Sequence, residues 1–192
     1  MQVDLKERAS ENLSFIREAM ARAERVSSVS GLATMAMGAI GLGAGALAAT
    51  RTSLPDVLLV WLGAAVLAGA LGAYGALWKT RQSETPLLAD QGRRFLLCLL
   101  PPLATGALLT QSLWDGPELA VLPSFWLLLY GVGLLAAGTY AVPPVFRMGV
   151  GFSAVGIAAV FAPASWQNGL LIAGFGGLHL LFGYQVYRHH GG

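Results

Sequence analysis

Hydrophobic positions in this chain come in runs rather than in the alternating or face-specific patterns of a soluble fold. Five stretches, Val26–Thr50, Val57–Trp78, Phe95–Trp114, Leu119–Phe146 and Met148–Tyr187, contain no Asp, Glu, Lys or Arg. A helix rises about 1.5 Å per residue, so about twenty apolar residues cover the hydrocarbon core of a bilayer. The last stretch is long enough to cross twice and is broken at residues 163–169, Pro-Ala-Ser-Trp-Gln-Asn-Gly. The pattern predicts an all-α, polytopic transmembrane helical bundle of six spans, at about 28–50, 54–78, 94–114, 117–141, 145–162 and 166–187.

Residues 1–27 follow a different rule. Leu5, Ala9, Leu13, Ile16, Met20 and Ala23 recur at steps of three and four, which places them on one helical face. Asp4–Arg8 and Glu18–Arg22 are acid-then-base pairs at i,i+4. This N-terminal segment therefore reads as a cytoplasmic amphipathic helix ahead of a six-helix domain over 28–192. Its five acids and five bases suit neither a secretory signal nor a dedicated anchor for anionic lipid. It lies on the membrane surface, packs on the protein's own loops, or offers a surface to a protein partner.

The turns on the side opposite the termini carry start signals for the even-numbered helices. Ser53-Leu-Pro-Asp56, Asp115-Gly-Pro-Glu118 and Ser165-Trp-Gln-Asn168 each place a capping residue three positions before a second polar side chain. The even-numbered helices close on Gly and Tyr, as in Gly72-Ala-Tyr74, Gly138-Thr-Tyr140 and Gly183-Tyr184. Shared punctuation suggests a threefold hairpin repeat, although any membrane helix needs caps and interfacial aromatics. Pro101-Pro102 should kink the third span, with Thr105 placed to help satisfy the freed carbonyls. Small-residue rows at Gly41, Gly45 and Ala49, at Ala65, Gly69 and Ala73, and at Gly169, Ala173 and Gly177 argue for close helix packing, oligomer contacts, or both.

Composition narrows the chemistry. Charged residues make up 11% of the chain and hydrophobic ones 55%, far from the roughly 25% charged of a soluble domain. A formal net charge of +2 gives no argument for a nucleic-acid partner. No acid, Lys or Arg sits near the middle of a span, which counts against proton-coupled transport, voltage sensing or a carboxylate metal site. Edge charges have ordinary accounts, Asp56 as a cap and Arg147 as a side chain snorkelling to water. Cys98 is alone and reads as a packing residue. The 79–93 loop carries no nucleophile-elbow or Walker glycines, and Ser14, Ser27 and Ser30 have no His nearby. The expectation is a non-enzyme with no catalytic, cofactor-binding or metal-binding residues and no cofactor.

His179 is the one titratable side chain within a span. A neutral imidazole bonded to a carbonyl or a Ser or Thr hydroxyl accounts for it; haem ligation or pH sensing are the alternatives. His189 and His190 form too short a tract for a metal site.

The segment Glu11-Asn-Leu-Ser-Phe-Ile-Arg-Glu-Ala-Met20, together with Gly174-Phe-Gly-Gly-Leu-His179 and the basic tail, resembles a group of uncharacterised bacterial multi-span membrane proteins. The resemblance covers about a quarter of the chain and implies a bacterial source, with no activity attached.

Two functions follow as expectations. The first is a sensing, scaffolding or accessory subunit of the membrane, contacting lipids and forming a homo-oligomer or engaging a protein partner through its N-terminal helix. The alternative is a channel or transporter for a small neutral or lipid-like solute. A transporter should show a polar cavity at the midplane, lined by groups such as Thr105, Thr110, Ser153 or Thr139, whereas a structural subunit should be packed through its centre. Of the twelve Lys and Arg residues, only Arg51 falls opposite the termini, so both termini should be cytoplasmic in a cell (inner) membrane.

Overall fold

A computed structural model of the chain describes residues 12–15, 29–82 and 90–190. Six helices in it are long and apolar enough to cross a membrane. The first three are α1 (Gly31–Ala48), α2 (Leu54–Gln82) and α3 (Asp90–Leu113). The fourth span opens with a 3-10 turn, Pro117–Val121, and continues as α4 (Leu122–Gly138); the fifth is α5 (Pro143–Phe161). The sixth, Ala164–His189, is composite. A 3-10 turn (Ala164–Trp166) leads into α6 (Gln167–Leu171), a π-helical segment (Ile172–Leu178) and α7 (His179–His190). Of the amphipathic helix expected over 1–27, residues 12–15 are helical with Leu13 and Phe15 exposed; the remainder of that expectation lies outside the described residues.

The caps behave unequally. Ser53 Oγ accepts from the Asp56 amide at 3.2 Å and donates to its carboxylate at 2.6 Å, which opens α2 as its sequence implies. Ser30 caps α1 by accepting from the Ala33 amide at 3.3 Å. The Asp115 motif makes no such cap, because Gly116 takes the cap position of the 3-10 turn. The Ser165 motif makes none either, for Asn168 turns inward to other partners.

The six spans form two rows of three, 2–1–6 and 3–4–5. Spans 1 and 6 and spans 4 and 5 share the most extensive interfaces, with 3–4 and 1–2 next. The rows meet along the edge where span 6 packs on spans 4 and 5, while spans 2 and 3 share no extended interface and come together near one end, where Leu54 and Leu58 join a cluster with Leu109 and Leu113. The fold is thus closed at one edge and open at the other. Large apolar side chains such as Val66 (76% exposed) and Phe161 (84% exposed) face outward, as contact with lipid tails requires.

Glycines seven residues apart weld the inner helices. A Cβ on Gly38 would lie 2.8 Å from the Leu180 amide nitrogen and 2.9 Å from the Gly176 carbonyl, and one on Gly183 would lie 2.7 Å from the Met35 amide nitrogen. Between α4 and α5, a Cβ on Gly131 would meet the Ser153 amide nitrogen at 2.7 Å, and one on Gly149 the Leu135 amide nitrogen at 2.7 Å. Gly31, Gly38 and Gly45 in α1, with Gly131 and Gly138 in α4 and Gly149 and Gly156 in α5, keep this spacing. Seven residues bring a helix back to nearly the same face after two turns. Without a water-driven hydrophobic effect between helices, close backbone approach is what holds them together.

Within the single chain, the small-residue rows expected at spacing four pack helix on helix only in part. Gly41 and Gly45 are buried against span 6, but Ala49 is exposed. Ala65, Gly69 and Ala73 are exposed on α2, and Gly169, Ala173 and Gly177 are exposed on span 6. Pro101 and Pro102 lie inside a continuous α3. Thr105 Oγ1 donates to the Pro101 carbonyl at 3.0 Å, which already sits in the helical ladder. It therefore does not serve the Leu97 and Cys98 carbonyls, which lose their amide partners to the two prolines.

Candidate functional site: an intramembrane groove

The open edge between spans 2 and 3 creates a groove of about 510 Å³, within the roughly 300–1,000 Å³ of small-molecule sites. Its α2 wall runs from Leu58 to Leu77, about 28 Å at 1.5 Å per residue, close to the thickness of the hydrocarbon core. Ala65, Ala68, Gly69, Gly72 and Ala73 line that wall. Their small side chains leave unfilled the space they share with Leu99 and Leu103 of α3. The row that sequence assigns to helix packing or oligomer contacts thus lines a cavity within the single chain.

Spans 1, 4, 5 and 6 form the groove floor; besides the hydroxyls of Ser30, Thr34 and Thr110, its polar groups are a buried pair from spans 4 and 6. Tyr130 of α4 and His179 at the start of α7 share a hydrogen bond of 2.9 Å between the hydroxyl and Nε2. Both are buried, at 9% and 2% exposure, and both line the groove. Aromatic rings enclose the pair. Phe152 of α5 packs edge-on to Tyr130 at 4.8 Å and to His179 at 5.3 Å, and Phe175 lies 5.3 Å from Tyr130 and stacks with His179 at 6.1 Å. Trp61 of α2 extends the cluster to Phe175 at 6.1 Å.

The π-helical segment supplies the geometry of the floor. Gly174, Gly176 and Gly177 fall within it, and three glycines in seven residues remove the side chains that a widened turn would crowd. A π turn inserts about one residue relative to α-helical register, and such turns gather at functional sites. Here Gly174 lies against Leu127 and Phe152, and Gly176 against Leu42, while Phe175 and His179 reach the floor. The Gly174-Phe-Gly-Gly run in the sequence is the one signal that points to it.

Sequence reading anticipates His179 as a hydrogen-bonded core imidazole but not its partner. The partner is a tyrosine hydroxyl from another span, not a backbone carbonyl or a Ser or Thr hydroxyl. Backbone groups of Gly174 and Phe175 lie beside the ring, but Nδ1 makes no well-formed hydrogen bond among the described residues. His189 is exposed and pairs with the Gln185 carbonyl at 3.0 Å.

The four groups named as markers of a polar path do not come together. Thr110 lines the groove, donating to the Gly106 carbonyl at 2.8 Å and accepting from Trp126 Nε1 at 3.0 Å. Thr105 and Thr139 are exposed and bonded within their own helices. Ser153 points to the α4–α5 contact, its buried hydroxyl without a partner among the described residues. The centre is thus neither a polar pore nor fully packed. Among the described residues no cluster of three His, Cys, Asp or Glu is placed to hold a metal ion. No protein-family model, curated protein or solved structure matches the chain.

Proposed function

We propose that this multi-pass membrane protein binds a lipid-like molecule in the groove between spans 2 and 3, and senses or carries it without chemical conversion. The observation that supports the reading is the groove itself: membrane-deep, apolar along its walls, and open between two spans that share no extended interface. Water gains nothing in such a space, since it needs two to four polar partners. An apolar chain fits it by length and by chemistry. Of the two functions expected from sequence, a lipid-like solute suits this lining better than a small polar one. A sensing role remains compatible, with the N-terminal segment as the output surface. We further propose a bacterial inner membrane with both termini cytoplasmic, on the charge asymmetry of the loops.

The test uses a photoreactive benzoylphenylalanine in place of Leu99, which lines the groove, or of Leu108, which is 70% exposed on the outer face of the same helix. After detergent purification and irradiation, Leu99→benzoylphenylalanine should give an adduct of discrete lipid mass, and Leu108→benzoylphenylalanine should not. Detergent adducts alone at both positions, or a crosslink from the Leu99 position to another protein chain or to the N-terminal segment, would overturn the reading.

A further inference from the structure

We infer that the groove's ligand is a neutral lipid bearing a hydroxyl group, and that the Tyr130–His179 pair receives that hydroxyl near the bilayer midplane. The inference rests on the proposed occupancy of the groove and names the chemistry of its occupant.

Tyr130 falls near the middle of Pro117–Gly138, and His179 near the middle of Ala164–His189. The polar floor is therefore far from either headgroup region. A charged headgroup brought to this depth pays a large desolvation cost with no counter-charge nearby, which excludes a phospholipid head as the group recognised. What the floor can accept is a neutral group small enough to lie against two aromatic side chains.

The tautomers of the pair then decide between neutral groups. A tyrosine hydroxyl has one hydrogen to give and two lone pairs, and a neutral imidazole has one N–H and one lone pair. If His179 carries its proton on Nδ1, Tyr130 donates to Nε2 and presents an acceptor oxygen to the groove. If the proton is on Nε2, the imidazole donates to Tyr130, whose O–H is left to give. A carbonyl meets the second state only. A hydroxyl meets both, donating in the first and accepting in the second. The ligand is accordingly a long-chain or polycyclic alcohol, its apolar body lying along the α2 wall.

The experiment measures competition against a photoactivatable long-chain alcohol on the full chain in detergent micelles, using an alcohol, a ketone and an alkane of equal length. Wild type should prefer the alcohol to the alkane by about tenfold, the equivalent of one hydrogen bond, and also prefer it to the ketone. Tyr130→Phe should bring all three to the alkane level while keeping its elution profile as a folded protein. Equal affinity for the three in wild type, a ketone matching the alcohol, or a preference that survives Tyr130→Phe would each overturn the hydroxyl assignment. The wild-type comparison stands even where the variant fails to fold. Ala68→Trp, which fills the groove from the α2 wall, separates the two levels. If it abolishes labelling while the three competitors remain equal, the hydroxyl is refuted and the groove stands. If it leaves labelling intact, the occupancy itself is refuted.

Discussion

Asn168 joins three helices through one side chain: its Oδ1 accepts from Trp61 Nε1 at 2.9 Å, and its Nδ2 donates to the Gly45 carbonyl at 3.1 Å. Span 2 packs chiefly on span 1, so this bond is its polar tie to span 6. Asn168→Leu strands an indole N–H and leaves the Gly45 carbonyl without its second donor. Interhelical hydrogen bonds in membranes average about 0.6 kcal/mol, with about 1.7 at the upper end. The variant should lose about 1 kcal/mol in a denaturing-detergent titration. Trp61→Phe should lose a similar amount, and the two together less than the sum, because they share one bond.

The glycine contacts make a sharper contrast. Gly38→Ala drives a methyl into the Leu180 and Gly176 backbone, an overpacking that costs about 1–3 kcal/mol. Gly43→Ala and Gly63→Ala meet nothing within 4 Å, and Ala is the better helix former. Thermal unfolding in detergent should place Gly38→Ala well below wild type and the other two at or above it. Equal losses at all three positions would mean that the tight α1–span 6 contact does not limit stability.

His179 poses a question of partners rather than of charge. His179→Leu leaves the Tyr130 hydroxyl buried and unpaired, a cost of about 1–3 kcal/mol, whereas removing both partners is far cheaper. The double variant His179→Leu with Tyr130→Phe should therefore be more stable than His179→Leu alone. His179→Gln keeps hydrogen-bonding capacity but gives up the stacking on Phe175, and should fall between wild type and Leu. A haem absorption band in the purified protein, lost in His179→Gln, would instead make the imidazole a metal ligand.

Six crossings were legible because hydropathy contrasts so strongly with the charged turns, and the observed helices fall within a few residues of the expected ones. The groove was not legible, and the reason is physical. Ala65 and Gly69 facing a cavity have the same composition as small residues facing a helix or lipid, so no periodicity separates the three surroundings. Several of the glycines that pack most closely recur at seven, a spacing overshadowed by the denser four-residue rows. Tyr130 carried no signal either, since a tyrosine in a membrane helix is expected at the interface, and only the fold brings it beside His179. The π turn that sets the floor left one trace, a local excess of glycine.

Orientation can be tested independently of ligand. With six crossings the termini share a side, and eleven of the twelve basic residues fall there, Arg51 being the exception. Short loops rich in Lys and Arg stay on the cytoplasmic face, so Asp56, Asp115, Glu118 and Asn168 are expected towards the other. In a Cys98→Ala background, which removes the chain's one cysteine, single cysteines are labelled in intact cells with a membrane-impermeant thiol reagent. Gly116→Cys, in the turn between spans 3 and 4, should label. Ser83→Cys, between spans 2 and 3, should label only after the membrane is permeabilised. The opposite pattern would invert the protein in its membrane, and labelling of both in intact cells would contradict the number of crossings between them.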